Sequence, residues 1–85
     1  MANVTAQPTP NPAAYKFTIE GHQFSGPMTI GSVAEAAGTP FEPLFAVPGV
    51  KSIFATANFV TITKEPSADW TGIVDRATEA LSVAF

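Results

Sequence analysis

Tyr15, Phe17 and Ile19 alternate with Lys16, Thr18 and Glu20, the period of two that a strand shows when only one of its faces is buried. Gly21-His22-Gln23 follows as a turn, and Phe24, Met28 and Ile30 keep the same period through Gly26-Pro27. A second strand paired antiparallel with the first is therefore expected, with Pro27 at an edge or a strand start because it has no ladder N–H to give. Residues 50–55 and 59–64 are β-branched and aromatic runs around a short turn, which predicts an antiparallel hairpin. Within it Val60, Ile62 and Lys64 share one face, expected to meet the helices, and Phe59, Thr61 and Thr63 share the other.

Helical signals fill the rest. Ser32-Val33-Ala34-Glu35 reads as a capping box, the Ser side chain accepting from the third helical amide and the Glu reaching back to the cap amide. Gly38 reads as its stop. Thr39-Pro40-Phe41-Glu42 repeats the start signal with Pro40 at the first helical position, and Pro43 limits that second helix to a turn or so. From residue 68 to 85, Trp70, Ile73, Val74, Ala77, Leu81 and Ala84 recur at helical spacing opposite Asp75, Arg76, Glu79 and Ser82; Ser67 and Asp69 both remain candidates for the cap. Together these predict an α+β fold in two layers, an antiparallel four-stranded sheet with a short helix and a C-terminal amphipathic helix on one face. Residues 1–8 are expected to form a flexible tail and residues 9–85 a single domain.

Eighty-five residues with 46% hydrophobic and 13% charged side chains fit one small packed core and no second one. A net charge of −3 with four Lys and Arg leaves no basic surface to displace counterions from nucleic acid, which excludes that class of partner. No apolar run approaches the roughly 20 residues that span a bilayer, and the first twelve lack a charged and then apolar leader. No membrane association is expected, and the cytoplasm is the expected location. The absence of cysteine removes disulfide and thiol chemistry from these residues.

The residues that carry catalysis elsewhere are isolated here. His22 is the single histidine, reads as a solvated turn residue, and has no convergent ligands to build a metal site. No serine lies in a Gly-x-Ser-x-Gly elbow, no phosphate-binding glycine loop is present, and the carboxylates are scattered at positions that suit helix caps and first turns. No catalytic residue, no metal ligand and no bound cofactor is expected, so the chain is read as not an enzyme.

Contact residues are better represented. In Thr9-Pro10-Asn11-Pro12 two prolines stiffen the backbone and present Thr9 and Asn11 at low entropic cost, for a partner or simply to guide entry into the first strand. Lys16, Lys51 and Lys64 with Thr18, Thr61 and Thr63 would make a weakly basic patch on the open side of the sheet, suited to an acidic peptide or a phosphoryl group. Phe54 and Phe59 fall on that same side by alternation and would add an apolar contact unless a bulge or neighbouring chain covers one of them.

The run 9–12 leading into Lys16-Phe17, then Leu44-Phe45, Gly49-Val50, Thr61-Ile62-Thr63-Lys64 and Asp69-Trp70, resembles in order and spacing the N-terminal domain of Nfu (NifU-like) iron–sulfur cluster scaffold proteins. The resemblance covers nearly the whole chain from Thr9 onward. It departs at residues 39–43, where Pro43 is added, and at the Thr56-Ala57-Asn58 turn, where the family carries Gly-Pro-Asp. It implies the same two-layer fold and a non-catalytic accessory or partner-recognition module of cluster assembly or delivery. The family's cluster is held by a following Cys-x-x-Cys domain, so no ligand is implied for this chain. Its implied partners are a cysteine-bearing Nfu-type domain or iron–sulfur client proteins. The alternative reading is a general binding module for acidic or phosphorylated peptides with no link to iron–sulfur biogenesis.

Overall fold

A computed structural model describes residues 3–24 and 26–85. The elements are β1 (Val4–Pro8), β2 (Ala14–Ile19), β3 (Met28–Ile30), α1 (Val33–Ala36), α2 (Glu42–Phe45), β4 (Val50–Thr56), β5 (Phe59–Lys64) and α3 (Trp70–Ala84). All strand pairs are antiparallel, in the order β1-β2-β5-β4-β3. The predicted α+β arrangement is present, with two differences in the sheet, the first being that it has five strands, not four.

The fifth strand lies where a flexible tail was expected. Val4–Pro8 pairs along its length with residues 15–19, and Val4 and Ala6 pack on the core while Thr5 and Gln7 face out. Small side chains give this segment a weak periodic signal; the free edge of β2 supplies its hydrogen bonds and α3 contacts its inner face. The domain accordingly includes these residues, whereas Met1 and Ala2 lie outside the described ones.

The partner of the 28–30 strand also differs. It pairs with β4 at the opposite edge of the sheet, Met28 against Ala55 and Ile30 against Ile53, and not with β2. Both sides of β2 are already taken by β1 and β5, the latter setting Phe17 against Val60. The intervening chain crosses the end of the sheet, where the Ile19 N–H donates to the Asn58 carbonyl (2.7 Å) and the Phe24 N–H to the Ala57 carbonyl (2.6 Å).

Phe17, Ile19, Ile30, Ile53, Ala55, Val60 and Ile62 form the inner sheet face and meet Ala36, Phe41, Leu44, Ala77 and Leu81 from the helical layer. The caps explain the short helices. Ser32 Oγ accepts the Glu35 N–H (3.3 Å), and the Glu35 carboxylate accepts from the Gly31 amide (2.6 Å), one residue before the cap amide expected of it. One turn later Thr39 Oγ1 accepts the Phe41 N–H (3.2 Å), while the Glu42 carboxylate accepts from Gly38 (3.2 Å). The helix itself begins at Glu42, so Pro43, not Pro40, is the first-turn proline. Asp69 settles the last open cap: its carboxylate accepts the Thr71 N–H at 2.9 Å.

The β4–β5 turn holds Ala57 at φ 51°, a left-handed backbone that a Cβ disfavours by roughly 1–2 kcal/mol. Ala57→Gly relieves that cost and gives back part of it as unfolded-chain entropy, so a net gain of about 0.5–1 kcal/mol is expected in urea unfolding.

Candidate partner-docking face

Antiparallel pairing lines up side chains across strands as well as along them. One row on the outer face runs Gln7, Lys16, Thr61, Phe54 and Thr29, one residue from each strand; a second runs Thr5, Thr18, Phe59 and Thr56. Every inner neighbour of these residues on β2, β4 and β5 packs toward the helices, and no described helix covers the outer side. The face is thus a field of short hydroxyl side chains interrupted by Lys16, Phe54 and Phe59. Phe54 is 39% exposed, and Lys16 Nζ sits 4.6 Å from the centroid of the half-buried Phe59 ring, a cation–π pair.

The residues singled out by sequence divide into three groups. Lys16, Phe54, Phe59, Thr61 and Thr63 do share this open face. Lys64 does not: with Val60 and Ile62 it lies on the helical side, close enough to Asp69 to act on its carboxyl. Lys51 is exposed at a register irregularity between Val50 and Ser52, where it has no cross-strand partner and alternation no longer sets its direction. Both phenylalanines stay on the outer side without a bulge between them.

Thr9 and Asn11 are engaged inside their own turn. Thr9 Oγ1 accepts the Asn11 N–H (3.2 Å) and shares its proton between the carbonyls of Asn11 (2.9 Å) and Ala14 (3.0 Å). Asn11 Oδ1 accepts the Ala13 N–H at 2.9 Å, an Asx turn. The Ala13 carbonyl then accepts from Lys64 (2.9 Å), and Trp70 Nε1 donates to the Pro12 carbonyl (2.9 Å) while its ring packs 5.0 Å from that of Tyr15. Two segments 58 residues apart are joined here, a contact that helical periodicity at Trp70 could not reveal. Trp70→Phe keeps the ring packing and removes the donor; a loss of about 1 kcal/mol is expected, with faster hydrogen exchange at Ala13 and Ala14.

Asp69 is held below the ordinary carboxylate range, first by the Thr71 backbone N–H, then by the Thr71 hydroxyl and, less, by Lys64, against a small opposing desolvation. A depressed folded-state value means that stability is present above the unfolded value and is lost as pH falls through the folded one. Asp69→Asn is expected to flatten the stability profile in that acidic window and leave its neutral-pH slope unchanged, as read from urea melts at a series of pH values.

Sequence reasoning missed two clefts. One, of about 380 Å³, lies between α2 and α3 and is lined by Pro43, Val47, Arg76, Ala80 and Val83. The other, of about 320 Å³, is walled by Phe24, Phe41 and Phe85, with His22 at its mouth. His22 is not a freely solvated turn residue but half-buried, its ring centroid 4.6 Å from both Phe24 and Phe85. The signal available was the spread of Phe24, Phe41 and Phe85 along the chain, which periodicity does not connect. Among the described residues no three His, Asp or Glu side chains converge as a metal site would require, and no helix is long and apolar enough to cross a membrane.

Residues 4–85 match the family described as the N-terminal region of scaffold protein Nfu/NifU. The chain is 38% identical over 74 residues to a protein of Drosophila willistoni named NFU1 iron-sulfur cluster scaffold homolog, mitochondrial, covering 79% of this chain and 24% of that protein. It is 30% identical over 83 residues to conserved virulence factor C of Staphylococcus haemolyticus, covering 96% of this chain and 22% of that protein. The chain therefore spans about a quarter of the length of these relatives. In structure it is similar to protein SAV1430 of Staphylococcus aureus (TM-score 0.80, 25% identity, 92% of this chain and 96% of that one). It is also similar in fold to a NifU-like protein of Saccharomyces cerevisiae (TM-score 0.83, 23% identity, 96% and 76%).

Proposed function

The chain belongs to the Nfu/NifU scaffold N-terminal family, and from that premise we propose that it is a non-catalytic accessory module of iron–sulfur cluster assembly or delivery, recognising partner proteins while the cluster is held elsewhere. The observation that supports this reading most directly is the uncovered sheet face carrying Phe54, Phe59 and Lys16. Two-layer folds leave a sheet face to water at little cost only when it is polar, and an exposed large aromatic at its centre is the kind of residue a partner buries.

The residues present do not fit an iron–sulfur cluster as ligands, since the 85 residues include no thiol and a single His, packed against two phenylalanine rings. The cluster is cargo of the system, not a resident group of this chain. Its proposed partners are a cysteine-bearing Nfu-type domain and iron–sulfur client proteins, and its proposed setting is the cytoplasm.

Two measurements test the role together. Anaerobic reconstitution of the isolated chain with iron and sulfide is expected to leave no stoichiometric cluster absorbance on it. NMR titration of the isotopically labelled chain with a cysteine-bearing Nfu-type domain, with and without its cluster, is expected to give saturable shifts confined to one surface. A stoichiometric cluster on this chain alone would overturn the reading.

A further inference from the structure

Charge is segregated in this protein by layer. Of its four basic residues, Lys16, Lys51 and Lys64 lie in strands and only Arg76 in a helix; of its seven carboxylates, none lies in a strand. Glu35 and Glu42 serve the amides ahead of α1 and α2, Asp69 caps α3, Asp75 and Glu79 ride its exposed side, and Glu20 and Glu65 sit just past strand ends. In a protein with a net charge of −3 the strands thus carry no carboxylate, and on the open face Lys16 stands over the Phe59 ring with Phe54 further along the same row.

The geometry of that face selects a shape of partner. Phe54 and Lys16 occupy one lateral row with Thr61 between them, two strand spacings apart and so about 10 Å. An extended peptide laid flat on the face would leave its own N–H and C=O groups facing hydroxyls and rings, whereas a helix has already satisfied them. Seven helical residues rise about 10.5 Å, which matches the row. Resting on the partner-recognition role above, we propose that the open face receives an acidic amphipathic helix of a partner protein, an apolar side chain against Phe54 and a carboxylate, one helical heptad away, against Lys16.

The probe is a synthetic helix-forming peptide with leucine and glutamate seven residues apart on one side, compared with a version carrying lysine for glutamate and one carrying alanine for leucine. With the labelled 85-residue chain, the acidic peptide is expected to shift the amides of Gln7, Lys16, Thr29, Phe54 and Thr61, and to weaken as salt rises. Lys16→Glu and Phe54→Ala should each lower its affinity roughly tenfold, while Arg76→Glu, the same charge change in the helical layer, should leave it within about twofold. Equal binding of the lysine version, or shifts centred on the α2–α3 cleft, would overturn the proposal. So would concentration-dependent shifts of the same row without peptide, which would assign the face to a second copy. If the cysteine-bearing domain binds elsewhere while the acidic peptide shifts nothing, this inference falls and the accessory role stands.

Discussion

Gly49→Ala is expected to destabilise the protein by about 3 kcal/mol, from roughly 1–2 kcal/mol of left-handed backbone strain and a similar steric cost. Gly49 adopts φ +99°, and a Cβ there would stand 2.6 Å from Ala68 Cβ and 2.9 Å from Ile73 Cδ1. It is the point where the start of β4 presses against the approach to α3 and α3's first turns, and its carbonyl accepts the Glu65 N–H at 2.7 Å. The Ile73 methyl can rotate away, but the Ala68 Cβ is fixed to its backbone, so the backbone itself must shift. Gly21→Ala supplies the comparison: its φ of +80° carries the conformational cost, yet nothing lies within 4 Å of the added Cβ. Urea unfolding followed by the single tryptophan, Trp70, measures both. Equal losses for the two variants would show that the close approach at Gly49 costs nothing.

Phe41→Ala is expected to cost about 4 kcal/mol, the range found for emptying a buried aromatic site. Phe41 is 2% exposed, and its ring centroid lies 5.8 Å from that of Phe24 and 5.6 Å from that of Phe85. It holds together three segments that have no strand or helix in common: the crossing that leads to β3, the entry to α2 and the end of α3. For a domain of this size the total stability is about 4–13 kcal/mol, so such a loss unfolds a large share of the molecules on warming. Phe41→Leu keeps most of the volume and should cost about 1.5 kcal/mol. The His22 ring protons report the same event, since the ring currents of Phe24 and Phe85 act on them only while the cluster is closed. A fall in stability below 1 kcal/mol for Phe41→Ala would mean that the cluster is not packed as described.

Neither variant replaces a residue of the open face, which separates folding from the proposed recognition. Lys16, Phe54 and Thr61 are held by the ladder of β2, β5 and β4, the central part of the sheet. The residues proposed for docking thus stand on the most heavily paired strands, and replacing Phe54, already 39% exposed, removes little core. Binding defects at these positions can be read without a confounding loss of fold.

Alternation along residues 15–20, 52–55 and 59–64 determined which side chains face the core, because an unbroken pleat fixes the period at two whatever the neighbours are. For the same reason Lys16, Phe54, Phe59, Thr61 and Thr63 were legible as one face before any coordinates. The helical repeat at Ile73, Ala77 and Leu81 and the Ser32 cap were equally local. What alternation cannot carry is the identity of the adjacent strand. The 28–30 strand reads the same beside β2 or beside β4, and the 4–8 strand is too weakly patterned to announce itself until β2 offers it an edge. Tertiary structure likewise joined the Trp70 indole N–H to the Pro12 carbonyl and closed His22 between Phe24 and Phe85. Each of these depends on hydrogen bonds or packing between residues distant in the chain, whose cost in closure entropy and gain in burial are settled only when all the elements meet.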